Sequence, residues 1–302
     1  MSRALAADVP VIELDTDADD ETLTDAIAGV EVVVFCAQTV APSRRVRFRK
    51  KPPHLLERVV EASRRARVRR MVHVSTADVY GSGHFTRITE KSELKATYAY
   101  EKAKLFEEEW LLDAADDLEV VVIRPARVFG EGEDWILPRL MEAAVEGRVW
   151  LPGGGRAKQT FVSAEDVGRA CLAASDRGRP AHRYLVGGFD STWRELVTSA
   201  ARAVGFAAEI SSIPYDVAFL RALGGETMTP SGGALWPGIY AIDVLGKSRY
   251  YDDSHSRREL TWSPSVGSFE QEMPAMAPWL ARLPKVAAAL AEPAGTTSPQ
   301  GR

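Results

Sequence analysis

Val30-Glu31-Val32-Val33-Val34-Phe35 is apolar at every position but Glu31. A short run this continuously apolar is expected of a strand covered on both faces rather than one with a wet side. The helical pattern of Leu55 to Ala66 follows it, and then a second strand-like run, Met71-Val72-His73-Val74. Strand, helix and strand in that order form a βαβ unit, which builds parallel sheet. The alternation extends outward. Val9 to Leu14 and the helical Asp20 to Ile27 precede the unit, and Val120-Val121-Val122-Ile123 follows it. The expected fold is α/β, a doubly wound parallel sheet.

The whole chain sets further bounds. Its 302 residues are 45% hydrophobic, enough for a sizeable core, and its net charge of −4 gives no global attraction to nucleic acid or acidic membranes. Two arginine-rich clusters, Arg44 to Lys51 and Arg64 to Arg70, are local exceptions. The second ends a helix, where cations complement the dipole, so a solvated helix end explains it better than nucleic acid does. Cys36 and Cys171 cannot build a disulfide framework and lie in no metal-ligand spacing. There is no signal-peptide pattern and no run near the ~20 apolar residues of a membrane span. These features make a cytoplasmic protein with a small-molecule partner the expectation.

Capping boxes announce helices at Ser163-Ala-Glu-Asp166 and Thr192-Trp-Arg-Glu195, the second closing at Gly205. Beyond Gly188 the alternation loosens into helices, a short strand from Ala208 to Ile213, and Gly/Pro-rich joints. The expected division is a dinucleotide-binding type domain over 1–188, a smaller substrate domain over 189–288 and a disordered tail over 289–302.

Tyr98 and Lys102 stand four residues apart at the start of a helix expected over Tyr98 to Ala114, on one stripe with Phe106. A phenol ionises near pH 10 and needs a neighbouring cation to act as an acid or base at neutral pH. A helical neighbour four residues on can supply one, and the Thr76 hydroxyl would orient a carbonyl or alcohol oxygen. Tyr100 and Lys104 repeat the same spacing two residues along. Bare Tyr-x-x-x-Lys matches are common on surface helices, so context must carry the reading.

The context is an ordered series of motifs. Val72-His-Val-Ser-Thr-Ala-Asp-Val-Tyr-Gly81, Thr97-Tyr-Ala-Tyr-Glu-Lys-Ala103, Ile123-Arg-Pro-Ala-Arg-Val-Phe-Gly130 and Gln159-Thr-Phe-Val-Ser-Ala-Glu-Asp-Val167 occur in turn. They are followed by Tyr184-Leu-Val-Gly-Gly188 and Ser254-His-Ser-Arg-Arg-Glu-Leu-Thr-Trp-Ser-Pro264. From about residue 10 to 270 the chain resembles the extended short-chain dehydrogenase/reductases, the NAD-dependent epimerase/dehydratase family. The resemblance implies a Rossmann-like domain, with Thr76, Tyr98 and Lys102 as the catalytic set. It implies cofactor contacts from Asp15 at the adenine, Ala37 along the dinucleotide, Ser75, Tyr98 and Lys102, and Pro125 beside the nicotinamide. Asp78, Arg127 and Gln159 would face substrate. His84, Phe85, Trp135, Trp150 and Trp236 are further candidates for the pocket lining, with packing between domains as the plainer role of each tryptophan.

The chain also departs from that pattern. Three spaced glycines normally let the backbone approach the pyrophosphate at a helix N-terminus, and no such spacing occurs here. An N-terminal truncation that removes the first βαβ unit is the expectation, with weak dinucleotide binding as its consequence. Pro52 stands near the usual relay asparagine. Arg127 replaces an asparagine common in sugar-nucleotide epimerases, and Gln159 replaces a phosphate-binding arginine. Thr76-Ala77-Asp78 in place of Thr-Asp-Glu counts against a 4,6-dehydratase. The expected activity is oxidoreduction or epimerisation of a secondary alcohol or ketone, sugar-derived or small and hydrophobic, with NAD or NADP and NAD favoured. A catalytically silent binding or regulatory relative is the rival. A homodimer through the helix carrying Tyr98 is common in the resemblance.

Overall fold

The computed structural model describes residues 9–15, 17–37, 52–82, 87–114, 117–228 and 237–291. In chain order the elements are α1 (Asp20–Ile27), β1 (Val32–Phe35), α2 (His54–Arg65), β2 (Arg70–Val74), α3 (Ala99–Ala114), β3 (Glu119–Pro125), β4 (Arg127–Phe129) and α4 (Leu137–Val145). There follow β5 (Val149–Pro152), β6 (Lys158–Ser163), α5 (Ala164–Arg177), β7 (Arg183–Val186), β8 (Phe189–Thr192), α6 (Trp193–Ala203) and β9 (Ile210–Ile213). Helices α7 (Tyr215–Met228), α8 (Ile239–Gly246), α9 (Ser254–Leu260), α10 (Phe269–Ala281) and α11 (Pro284–Ala291) complete the chain.

The apolar runs pair into one parallel sheet in the order β1-β2-β3-β7, with Val33 opposite Met71, Val72 opposite Val121 and Ile123 opposite Tyr184. Side chains alternate between two cores because the strand period is two. Met71, Val120 and Val122 pack with Leu23 and Ile27 of α1, Leu56, Val59 and Val60 of α2, and Leu111 of α3. Val72, Val121 and Ile123 pack on the other face with Val167, Ala170, Cys171 and Ala174 of α5. Each fully buried aliphatic side chain contributes about 1.5–3 kcal/mol, which explains the apolar centres of these strands. The doubly wound reading holds.

The strand expected from Val9 to Leu14 does not form. Val9, Ile12 and Leu14 are exposed, and the segment joins no sheet. A strand exists only through its ladder, and among the described residues β1 is paired along one edge only, with β2. The β-branched composition was present without a partner to use it.

The C-terminal half builds a second core around two small sheets, β4-β6-β8 and β5-β9. Phe129, Phe161, Phe189 and Phe269 meet at its centre, mostly edge to face, with Trp193 against Phe161. The capping box at Thr192 is complete, with Glu195 returning a carboxylate to the Thr192 N–H. At the other, Ser163 caps α5, but the buried Asp166 carboxylate accepts from the backbone of Ser265 and Val266, tying α5 to the approach to α10. Residues 289–291, expected in a disordered tail, are the last turn of α11. No helix among the described residues is long and apolar enough to cross a membrane.

Candidate active site

Parallel sheets bind ligands beyond the carboxyl ends of their strands. At the end of β2 the chain turns through Ser75 and Thr76, and the Thr76 hydroxyl accepts the Asp78 N–H at 3.1 Å, capping a 3-10 turn from Ala77 to Tyr80. Ser75 is committed elsewhere: its hydroxyl donates to the buried Glu108, which also accepts from Arg124 at 2.6 and 3.0 Å and from Arg183 at 3.2 Å. This expected cofactor ligand therefore holds the strand end to α3.

Helix α3 decides which of the two Tyr-x-x-x-Lys pairs faces the sheet. Its buried stripe contains Glu101, Lys104, Glu107, Glu108 and Leu111. Residues two apart on a helix do not share a face. Lys102, two positions from Lys104, is consequently exposed, and the structure does not bring it to Thr76. Tyr98 precedes the helix, and its half-buried ring packs 4.9 Å from that of Tyr240. Burial, then the nearby charge of Asp243, raises its pKa.

Of the two pairs at that spacing, Tyr100 and Lys104 are the one turned toward Thr76 and the sheet. The Thr76 hydroxyl interacts with the Tyr100 phenol and favours its ionised form, while loss of solvation and the charge of Asp78 outweigh it and raise the pKa. Lys104 is buried, with Nζ 3.0 Å from Glu107, 3.3 Å from the carbonyl of Ala37 and 3.4 Å from that of Val74. Val74 ends β2 and Ala37 lies two residues past the end of β1, so the ammonium lies across the carboxyl edge of the sheet. His73 beside it is kept neutral by burial and by the Lys104 charge.

The C-terminal half closes over this cluster with a charged network. Asp78 accepts from Arg127 through both oxygens at 3.0 Å, lies 2.9 Å from Arg249 and accepts the Tyr240 hydroxyl at 2.6 Å. Burial alone would raise its pKa, but the two guanidinium groups hold it well below the ordinary carboxylate range. Arg249 also pairs with Asp243 at 2.8 Å and approaches Glu101 at 3.5 Å. Glu101 caps α3 by accepting the Thr97 and Tyr98 N–H groups, and burial pushes its pKa up to about 7. Tyr240 stacks on Trp135 at 5.3 Å and lies 6.0 Å from Tyr100. The phenol of Tyr100 thus sits beside an aromatic wall.

Other expected residues fall outside this cluster. Gln159 is fully buried and donates to the carbonyls of Val244 and Lys247, a packing role. Pro125 ends β3 opposite Val186. Asp15 lies in the unpaired N-terminal segment, and Trp150 is exposed beneath Arg148. His84, Phe85, Trp236 and the Arg44 to Lys51 cluster lie outside the described residues. Tyr240, Arg249 and Glu101 escaped the sequence reading. Only Glu101 had a local clue, an acid three residues after Tyr98 where it can cap a helix.

The donors at the strand ends fit the nicotinamide and ribose half of a dinucleotide, with hydroxyl groups from Thr76 and Tyr100 and an ammonium from Lys104. The sequence supplies no three-glycine cradle for the pyrophosphate.

Residues 2–187 match the model of the NAD dependent epimerase/dehydratase family. The chain is 30% identical over 257 residues to 4-hydroxy-2-methyl-3-oxo-4-farnesyl-3,4-dihydroquinoline-1-oxide ketoreductase of Stigmatella aurantiaca, covering 82% of this chain and 76% of that protein. It is 26% identical over 274 residues to 2-alkyl-3-oxoalkanoate reductase of Stenotrophomonas maltophilia, covering 82% and 80%. Among solved structures it resembles UDP-glucuronic acid 4-epimerase from Bacillus cereus in complex with UDP-glucuronic acid and NAD. That match has a TM-score of 0.67 at 18% identity and covers 90% of this chain and 81% of the other.

Proposed function

Because the chain belongs to the NAD dependent epimerase/dehydratase family, whose members are NAD(P)-dependent enzymes of the oxidoreductase type, we propose that it reduces an apolar ketone to a secondary alcohol. The proposed set is Thr76, Tyr100 and Lys104, two residues along the helix from the pair that spacing first suggested. The observation that carries the reading is that Tyr100 meets the Thr76 hydroxyl just past β2 while the Lys104 ammonium reaches the carbonyls of Ala37 and Val74 at the same edge of the sheet. The bound nicotinamide would supply hydride. Thr76 orients the carbonyl oxygen, and Tyr100 gives it a proton. A phenol whose pKa is raised keeps its proton at neutral pH, which suits an acid and hence the reductive direction. Lys104 stabilises the phenolate left behind.

The preference for an apolar ketone over a sugar nucleotide rests on three things. Tyr98, Tyr240 and Trp135 form an aromatic surface near Tyr100. Arg127 and Gln159, at positions the resemblance links to sugar-nucleotide binding, are spent on Asp78 and on backbone carbonyls. Relatives matched over four-fifths of the chain include a ketoreductase and an oxoalkanoate reductase. NAD is taken as the cofactor, following the family's description.

The test follows oxidation of NADH and of NADPH with a panel of alkyl and aryl ketones, with UDP-glucose as the contrasting substrate. Tyr100→Phe is expected to lose about 10²–10⁴-fold in kcat, while Tyr98→Phe keeps most of it. The reverse ranking would return the role to Tyr98 and refute this reading. Turnover of UDP-glucose in preference to every ketone would refute the substrate class.

A further inference from the structure

Two imidazoles and a carboxylate meet at the opposite end of the sheet from Thr76. His255 and Glu259 are four residues apart on α9 and therefore project from one face, with His255 Nε2 3.5 Å from Glu259 Oε1. His182, just before β7, brings Nε2 to 3.9 Å from Glu259 Oε2. The two imidazole centroids are 5.9 Å apart, and one donor atom from each of the three residues lies within 4.8 Å of the others.

We infer that His182, His255 and Glu259 form a binding site for a divalent transition metal of the zinc class, which clips α9 to the segment leading into β7. Donors around a tetrahedral zinc lie roughly 3.3 Å from one another, given metal–ligand bonds of about 2.0–2.1 Å. The His255 separation is near that value, His182 stands against the other carboxylate oxygen, and rotation of the partly exposed side-chain ends closes the rest. Two imidazole nitrogens and one carboxylate oxygen suit zinc, nickel or copper over magnesium or calcium, and they leave a fourth position for water.

The surroundings prepare the Glu259 carboxylate. Tyr184 donates to Oε2 at 3.1 Å and fixes the carboxylate, as outer partners of metal ligands do. Arg179 is the competitor: its guanidinium lies 2.7 Å from Oε1, but the side chain is 60% exposed and can swing into water. Without metal, Arg179 neutralises the carboxylate; with metal, the dication replaces it. Thr76 follows the carboxyl end of β2 while His182 precedes the amino end of β7 in the same parallel sheet, so this site takes no part in the ketone chemistry.

The experiment uses the full chain stripped with EDTA, then titrated with ZnCl2 or CoCl2. Zn2+ at a hundredfold excess over its Kd should raise Tm by roughly 5 °C. Co2+ should develop the visible absorption of a tetrahedral N/O site. His182→Ala, His255→Ala and Glu259→Gln should each abolish both signals while keeping the wild-type circular dichroism spectrum. Arg179→Ala should bind more tightly, an outcome that a merely structural role for the cluster does not give. An unchanged Zn2+ shift in His255→Ala and His182→Ala, or no shift and no Co2+ absorption in the wild type, overturns the assignment.

Discussion

Replacing Glu101 by glutamine probes the charge balance beside Tyr100. The carboxyl is buried, its Oε2 accepts the Thr97 and Tyr98 N–H groups at 2.7 and 3.1 Å, and its Oε1 lies 3.5 Å from Arg249. Burial raises its pKa from 4.5 to about 7, with Asp78 adding to the shift and Arg249 opposing it. The folded chain therefore holds a proton that the unfolded chain has released between those two values. The resulting stabilisation is fully present below pH 4.5 and is lost as pH rises through about 7. At about 1.4 kcal/mol per pH unit it amounts to about 3 kcal/mol. Glutamine keeps an oxygen to cap α3 and cannot ionise. Urea denaturation of both proteins from pH 4.5 to 8.5 gives the difference directly, because contributions such as that of the neutral His73 are common to both. Relative to wild type, Glu101→Gln should gain about 3 kcal/mol between pH 4.5 and 8. Parallel profiles across that range would show that Glu101 ionises as an ordinary carboxyl, and the argument from burial would fail.

Other expectations follow from the same structure. Lys104→Met should cost kcat about 10²-fold and also raise the pKa of His73, because the Lys104 charge helps hold that ring neutral; a proton NMR titration of the imidazole reads the second effect. Asp78→Asn takes the carboxylate partner from Arg127 and one of three carboxylates from the buried Arg249, and should destabilise the fold by about 3 kcal/mol in urea denaturation. Gly188→Ala would set a Cβ 2.5 Å from the carbonyl oxygen of Phe161, where backbone cannot yield cheaply, and should lower stability by about 1–3 kcal/mol. Thr192→Ala removes the acceptor for the Glu195 N–H and should cost about 1 kcal/mol in the same assay.

The parallel sheet was legible because burial on both faces leaves a continuous apolar run, as in Val120 to Ile123. Val11 to Asp15 carried a similar composition and failed, since pairing depends on a neighbour and not on the strand itself. The candidate site was legible as a choice between two overlapping pairs. Tyr98/Lys102 and Tyr100/Lys104 have the same spacing, and spacing cannot say which side of the helix meets the sheet. The answer lay farther along: Lys104 shares its buried face with Glu108 and Leu111, whereas Lys102 leads to Phe106. Arg249 and Tyr240 had no local pattern at all. Their roles come from contacts with Asp78 made across much of the chain, which a reading of neighbouring residues does not reach.

Those contacts bear on how the molecule is made. The Tyr240 hydroxyl reaches Asp78 across 162 residues, and the Tyr251 hydroxyl reaches the Ala77 carbonyl across 174. A ribosome adding about 5–20 residues per second releases the βαβ units well before either tyrosine. In the interval Asp78 and Arg127 have each other but lack Arg249 and the aromatic cover. The turn after β2 therefore waits for residue 251 before its surroundings are complete. A chain stopped before residue 240 would carry Thr76, Tyr100 and Lys104 without the Tyr240 and Tyr251 rings whose hydroxyls hold this turn.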